Sequence, residues 1–228
     1  MAAELVLSMV SRSDEARGPI AAFAVTDQQV VAVGARVLAS PVGALGFAPR
    51  GAALPELPEM PEMPEMHDVL AVGDALWACG AGGWLAVSRD HGERWQPIAT
   101  GTTGRLRGLA LGADGAVWVV GEAGYAARVL GEAVRRVDLG VAAGLGGVRA
   151  VRDELVALGD DGRIVRWRDG TATSVACGAS AALRGLIVTG KGTWIAVGDD
   201  GFVARSPDGA WYSRVSVPGG DWRAIAQL

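Results

Sequence analysis

The chain has 228 residues, a formal net charge of −4 and only two cysteines, Cys79 and Cys177, which lie far apart in apolar stretches. This charge gives no overall attraction to nucleic acid or to an anionic membrane, and the two isolated thiols match no metal-ligand or redox spacing. Half of the residues are apolar and 34 are glycine, which favours short strands joined by tight turns over long helices. We therefore expect one all-β domain over residues 1–228, with no cofactor and no metal.

The N-terminal residues 1–17 combine a short apolar run with the acidic side chains of Glu4, Asp14 and Glu15. They lack the basic leader of a secretory signal, and no stretch of the chain is long enough for a membrane span. We therefore expect a cytoplasmic protein with reduced cysteines and no membrane insertion.

An imperfect repeat of about forty residues runs through the chain. Five apolar segments that each end in glycine mark it: 29–34, 75–80, 116–121, 154–159 and 193–198. The last complete unit shows four apolar stretches, which we name strands A to D. A turn rich in glycine and aspartate joins B to C, as in Gly198-Asp-Asp-Gly201, and such residues supply the positive φ of tight hairpins. This pattern predicts a β-propeller of five four-stranded blades, because each blade buries its faces only against its neighbours.

The strand A segments are predicted at 20–25, 68–72, 106–111, 148–151, 183–188 and 222–226, one more than the number of B segments. We expect the segment at 222–226 and the apolar stretch at 4–10 to pair, which would close the ring or form a partial sixth blade. Unpaired strands would expose edges that invite association. A strand from a second polypeptide could also complete the ring.

A tripeptide repeat of proline, glutamate and methionine fills residues 55–66. Its prolines favour an extended, polyproline-like conformation, so we expect an exposed loop. The loop is either a docking segment that presents methionines on an acidic strand or an expansion tolerated at the surface.

Two C-to-D turns carry an S-x-D-x-G-x-x-W motif or a shortened form of it. The full motif consists of Ser88, Asp90, Gly92 and Trp95, and the shortened one of Ser206, Asp208 and Trp211. Together with Trp194-Ile-Ala-Val-Gly-Asp-Asp-Gly201, these residues resemble the BNR or Asp-box propellers, particularly the repeats of photosystem II assembly-factor-like proteins. The resemblance covers residues 20–228 and implies the propeller fold. We interpret both motifs as structural, with the aspartate bound to backbone N–H groups and the tryptophan in the core.

Arginines follow the first residue of several predicted A strands. The set is Arg107, Arg149, Arg184 and Arg223, with Asp68 and Ala21 at the equivalent place in the other two units and Trp222 beside Arg223. Because strand A lines the channel of a propeller, we expect a cluster at one mouth, able to bind a carboxylate-bearing or acidic segment of another protein. The resemblance implies the same, since assembly-factor propellers carry repeated arginines there and use them on a protein partner. Alternatively, each arginine pairs with a turn aspartate, such as Asp160, Asp161, Asp199 or Asp200, or stacks on a tryptophan.

The sequence offers little material for an enzyme. Sialidases share the Asp box, but their tyrosine and glutamate pair and Arg-Ile-Pro motif have no counterpart here, where Tyr125 and Tyr212 are the only tyrosines. No pair of carboxylates is singled out for glycoside hydrolysis, and two histidines leave little for a triad or a metal site. We predict a non-enzymatic protein-binding scaffold, such as an assembly factor, adaptor or inhibitor-like subunit. The alternative is a carbohydrate-binding or glycosidase-like Asp-box propeller.

Overall fold

The computed structural model describes residues 20–44, 46–50, 64–215, 220–222 and 225. Apart from two short 3-10 turns at Ala81–Gly83 and Glu122–Gly124, the regular structure in these ranges consists of strands. None of the helical structure in these ranges is long and apolar enough to cross a membrane. A cytoplasmic location therefore stays a prediction from the sequence.

The strands form five antiparallel sheets in which four consecutive strands pair in chain order. The first sheet contains β1 (Ile20–Val25), β2 (Gln29–Gly34), β3 (Val37–Pro41) and β4 (Ala48–Arg50). The second contains β5 (Met66–Val72), β6 (Ala75–Gly80), β7 (Leu85–Ser88) and β8 (Gln96–Pro97). The third contains β9 (Leu106–Leu111), β10 (Val117–Gly121), β11 (Ala126–Leu130) and β12 (Ala133–Arg136). The fourth contains β13 (Leu145–Val151), β14 (Glu154–Gly159), β15 (Arg163–Arg168) and β16 (Thr171–Ala176). The fifth contains β17 (Leu183–Val188), β18 (Trp194–Gly198), β19 (Val203–Ser206) and β20 (Ser213–Arg214).

This architecture confirms the predicted propeller of five four-stranded blades. The A strands β1, β9 and β17 have the bounds predicted from the sequence, whereas β5 begins two residues and β13 three residues before the predicted start. Of the predicted loop at 55–66, residues 55–63 lie outside the described part of the chain. Its last residue was wrongly included, because Met66 opens β5 and is fully buried.

The core lies between successive sheets, because each sheet is apolar on both faces. Between the second and third sheets, for example, Leu70 and Val72 of β5 pack against Leu106 and Leu109 of β9. The same arrangement recurs at the first and fourth interfaces and between the third and fourth sheets. The apolar faces of each blade are therefore buried only by the neighbouring blades, as expected for a repeat protein.

The inner strands lie side by side in chain order, from β1 through β5, β9 and β13 to β17. Among the described residues, no comparable contact joins β17 back to β1. The described members of the predicted C-terminal strand, Trp222 and Ile225, lie against the fifth sheet instead. The Trp222 N–H donates to the Gly198 carbonyl at 3.1 Å, and a Cβ on Gly185 would lie 3.0 Å from Ile225 Cγ2.

These contacts put the C-terminal residues where the inner strand of a next blade would begin. At the other end of the arc, Phe23 of β1 is 42% exposed, although its equivalent Leu109 is buried between two sheets. The N-terminal stretch at 4–10, predicted to pair with the C-terminal strand, lies outside the described residues. Closure of the ring, by the chain itself or by a partner strand, therefore stays a prediction.

Candidate functional site

Every inner strand contains a β-bulge directly after its first residue. In each sheet the first residue of strand A pairs with the last glycine of strand B, and the next residue has no partner in the ladder. The five bulged residues are Ala21, His67, Arg107, Gly146 and Arg184. A bulge redirects the side chain it carries and is common beside functional sites. We refer to this ring of bulged residues, with the adjoining B-to-C turns, as the channel mouth.

The register confirms that Arg107, Arg184 and Ala21 are equivalent and contradicts the predicted equivalence of Arg149 and Asp68. Arg149 pairs with Val156, three residues beyond the bulge, which corresponds to about 10 Å along a strand. Asp68 follows the bulged residue of its own strand. Arg223 lies outside the described residues, so its position stays a prediction.

The misplacement of Arg149 has a physical cause in two successive glycines. Gly146 and Gly147 suggest a turn, but they belong to β13. A Cβ on Gly108 of the preceding inner strand would lie only 2.8 Å from Gly147 Cα, so the two strands approach closely where both lack side chains. Glycine at these positions permits close packing of the two inner strands. The residue pattern of one strand alone does not reveal this packing.

Arg107 and Arg184 are held by three carboxylates of the B-to-C turns. Arg107 Nη1 donates to Asp160 Oδ2 at 2.6 Å, and its Nη2 donates to Glu122 Oε1 at 3.1 Å. Arg184 makes a bidentate pair with Asp199, with Nε to Oδ1 at 3.0 Å and Nη2 to Oδ2 at 2.6 Å. Its Nη1 lies 3.8 Å from Asp160 Oδ1. Asp160 therefore stands between the two guanidiniums and joins three blades into one chain of charges.

Glycines make room for this arrangement. A Cβ on Gly144 would lie 2.3 Å from Asp160 Oδ2, and one on the bulged Gly146 would lie 3.6 Å from Asp160 Oδ1. Asp160 Oδ1 is buried and has no hydrogen-bond partner among the described residues. The bulged residue of the fourth blade, Gly146, thus has no side chain, and the carboxylate of Asp160 occupies that space.

The electrostatics of the mouth are those of a partly solvated ion-pair network. The hydrogen bond to Asp199 raises the pKa of Arg184, and the Arg105 N–H, followed by the Arg107 guanidinium, lowers the pKa of Glu122. Arg105 Nε also lies 3.9 Å from Glu122 Oε1, so three guanidiniums face the three carboxylates and the network is formally neutral. The side chains of Arg107 and Arg184 are still 27% and 32% exposed.

The alternative of pairing with turn aspartates is thus confirmed for Asp160 and Asp199 and contradicted for Asp161, whose ion pair is with Arg163. Glu122 was missed, although a sequence signal existed. It directly follows the last glycine of strand B, as Asp160 and Asp199 do. Alignment on that glycine would have found all three carboxylates of the network.

Asp68 lies inside the channel, not in the ion-pair network. Its Oδ2 accepts the Leu109 N–H at 2.8 Å, and its Oδ1 accepts the N–H of Val69 at 2.9 Å. Burial raises the pKa of this carboxyl, although both N–H groups and the charge of Arg149 act in the opposite direction. Asp68 therefore ties the second inner strand to the third, a structural role that accounts for its position.

The S-x-D-x-G-x-x-W motif at residues 88–95 has the predicted structural geometry. Ser88 Oγ donates to Asp90 Oδ1 at 2.9 Å and accepts the Gly92 N–H at 2.8 Å, while Asp90 Oδ1 also accepts the Arg94 N–H at 2.8 Å. Burial opposes ionisation of Asp90, but these hydrogen bonds prevail and lower its pKa. Trp95 is only 2% exposed, and its Nε1–H donates to the Gly92 carbonyl at 3.2 Å.

The shortened motif at residues 206–211 keeps the hydrogen-bonded turn, but its tryptophan is not buried. Ser206 Oγ accepts the Gly209 N–H at 2.8 Å, and Asp208 Oδ1 accepts the Ala210 N–H at 2.9 Å. Trp211 is 56% exposed, so its predicted place in the core is wrong. The motif is two residues shorter here, and that difference moves the tryptophan off the inward-facing position.

Neither tyrosine offers an open hydroxyl for catalysis. Tyr125 is buried, and its hydroxyl donates to the Thr100 carbonyl at 2.8 Å. The hydroxyl of Tyr212 is also buried, and desolvation raises its pKa. Within the ranges that the structure covers, no group of three or more histidines, cysteines or carboxylates is placed to hold a metal ion.

No family model and no curated protein matches the chain, but solved β-propellers match its fold. The structure of YCF48 bound to a D1 peptide aligns with a TM-score of 0.68 at 14% identity, over 90% of this chain and 70% of that one. YCF48 from Cyanidioschyzon merolae aligns at 0.65 and 16% identity, over 90% and 74% of the two chains. A catalytically inactive virginiamycin B lyase from Staphylococcus aureus, with quinupristin, aligns at 0.76 and 14% identity, over 91% and 73%. At such identities the likeness establishes that this chain has a β-propeller fold.

Proposed function

We propose that this chain is a non-enzymatic, protein-binding propeller and that it receives a carboxylate-bearing segment of its partner at the channel mouth. The observation that carries the proposal is the pair of bulged arginines, Arg107 and Arg184, which are aimed at one mouth and are still partly exposed. Arginine forks match carboxylates in shape and charge, which suits them to recognise acidic side chains or a chain terminus.

The existing ion pairs define how a partner carboxylate would enter. A guanidinium offers five N–H donors, and Arg184 spends two of them on Asp199, leaving Nη1 at 3.8 Å from Asp160. An incoming carboxylate would take the place of Asp160 between the two arginines, because a fourth carboxylate would leave the network with one negative charge in excess. Asp160 belongs to a turn and is partly exposed, so its side chain has room to yield.

The likeness in fold to YCF48, one structure of which holds a D1 peptide, supports the proposal at the level of architecture. It shows that a propeller of similar form accommodates a peptide. The choice of the mouth and of an acidic segment rests on the residues of this chain alone. Trp222 is exposed and remains a predicted contact of the same partner.

An affinity capture from the native cell tests the proposal. The wild-type protein is compared with an Arg107→Gln/Arg184→Gln variant and with a control variant, Arg89→Gln/Arg135→Gln, which loses the same charge from exposed positions elsewhere. We expect a defined protein to be captured by the wild type and the control and to be lost from the mouth variant. Thermal melting establishes that all three are folded.

Two results would contradict the proposal. Equal capture of the partner by the mouth variant would remove the arginines from the interface. Specific binding to a glycan array, or turnover of a sialoside, would favour the carbohydrate-directed alternative instead.

A further inference from the structure

An inter-blade cleft opens along the inner strands of the fourth and fifth sheets, near their ends opposite the channel mouth. We define it by Arg149, Arg152, Ile187, Val188, Gly192 and Ile225, which line a cavity of about 530 Å³. This volume lies within the range of ordinary small-molecule sites. Most of the cleft belongs to β13, β17 and the A-to-B turns that follow them.

One residue that lines the cleft departs from the pattern of the repeat. The fifth residue of an inner strand is apolar in the first three sheets, where Ala24, Leu70 and Ala110 pack against the following sheet. In the fourth sheet this residue is Arg149, which is exposed and absent from the core that β13 shares with β17. A buried contact between neighbouring blades is thus replaced by a cation in an open cavity.

Within the described ranges, neither arginine of the cleft forms an ion pair with a carboxylate. Arg149 Nη1 donates to the neighbouring Val148 carbonyl, at 3.1 Å, and its charge acts to lower the pKa of the buried Asp68. Arg152 forms no ion pair with any described residue. The adjacent Asp153 does not serve it, because that carboxylate pairs with Arg168.

Arg152 is held over the turn of the neighbouring blade. It has a φ of 55°, a left-handed conformation that arginine adopts only when the surroundings favour it. Its Nη2 lies 3.7 Å from where a Cβ of Gly192 would be, and Gly192 itself has a φ of +83°. Two turns with positive φ therefore bring a second guanidinium to the cavity that Arg149 lines.

We infer that the inter-blade cleft binds a small organic anion, a carboxylate or phosphate attached to an apolar group. The two guanidiniums bind the anionic oxygens, since both retain free donors of the fork geometry that suits them. Ile187, Val188 and Ile225 also line the cavity and would contact the apolar body. A ligand with only one of these two parts would leave half of the lining unused.

Titrations followed by NMR of the 15N-labelled full chain test this inference. The probes are 3-phenylpropionate, phenyl phosphate, inorganic phosphate and the neutral 3-phenylpropanamide. We expect saturable shifts of the amide signals of the 189–192 turn with one or both organic anions, and the tighter of the two identifies the head group. Inorganic phosphate and the amide should bind about tenfold more weakly or not at all, because each lacks one half of the ligand.

The variant Arg149→Leu restores the apolar residue that β5 carries at this position, so the blade interface should remain folded. Arg149→Leu should lower the affinity for the organic anion by about tenfold. Arg152→Gln should lower it by a similar factor without altering the blade interface. The control Arg135→Leu, at an exposed position on β12, should leave the affinity unchanged.

Three outcomes would overturn the inference. They are no saturable shift with either organic anion, equal affinity for the neutral amide, and equal affinity for inorganic phosphate, which would mark an adventitious ion only. None of these depends on the partner proposed for the channel mouth, because Arg107 and Arg184 are intact in every variant.

Discussion

Replacement of Asp160 by asparagine tests whether its carboxylate is an internal competitor of the partner. The variant Asp160→Asn keeps the size of the side chain and an oxygen that can accept from Arg107 Nη1 at 2.6 Å. It removes one negative charge, which changes the formal charge of the mouth network, with Arg105 counted, from zero to +1. Arg107 keeps Glu122 and Arg184 keeps Asp199, so neither guanidinium is left without a carboxylate.

The loss of stability should be small. Partly exposed ion pairs contribute about 0.2–1 kcal/mol each, and Asp160 makes one short pair and one of 3.8 Å. We expect the free energy of unfolding to fall by about 1 kcal/mol, which corresponds to about 2–4 °C in Tm for a chain of this size. The difference should shrink in molar salt, which screens exposed charges.

Binding should change in the opposite direction. With the competing carboxylate removed, a fluorescein-labelled triglutamate peptide should bind about fivefold more tightly, equivalent to about 1 kcal/mol. Fluorescence polarisation at low and high salt measures this affinity. Asp169→Asn is the matched control, because it removes the same charge from an exposed turn, where Asp169 Oδ2 lies 3.6 Å from Arg168 Nε.

The reasoning would be refuted by weaker binding of the peptide to Asp160→Asn than to the wild type. That result would make Asp160 a residue that positions the arginines for the partner. An unchanged Tm together with an unchanged affinity would mean that the network is not formed in solution.

Three further predictions concern the framework. Gly108→Ala should lower the free energy of unfolding by about 1–3 kcal/mol in urea titrations, because the new Cβ would lie 2.8 Å from Gly147 Cα; an unaltered midpoint would contradict the close approach of the inner strands. Burial raises the pKa of Asp68 above its ordinary value of 3.8, so the wild type loses stability as the pH rises from 3.8 through the raised pKa. The free energy of unfolding of Asp68→Asn should therefore increase relative to that of the wild type over that range. A constant difference over that range would exclude this effect. Trp95→Ala should lower the free energy of unfolding by about 3–5 kcal/mol, whereas Trp211→Ala should change it by no more than about 0.5 kcal/mol. Similar losses for the two variants would mean that both tryptophans are packed in the core.

Much of the fold follows from the sequence because the repeat is a local signal. Each unit has its own strands, its glycine at the end of strand B and its own turn, and the inner strands β1, β9 and β17 could be delimited to the residue. The bulged arginines Arg107 and Arg184 were found in the same way. The turn geometry of the S-x-D-x-G-x-x-W motif at residues 88–95 was predictable too, since its hydrogen bonds join residues at most four positions apart.

The blade, its turns and the arginines of the inner strands are therefore encoded in the local sequence. Tertiary structure sets the interactions of those arginines, because their partners come from other blades: Asp160 lies 53 positions from Arg107 in the chain. It also places Arg149 away from the channel mouth. The glycines at the start of β13 are part of the strand because the neighbouring inner strand packs closely against them, and this lengthens β13 before Arg149. Pairing and close approach between blades depend on long-range packing, which a repeat pattern of about forty residues does not encode.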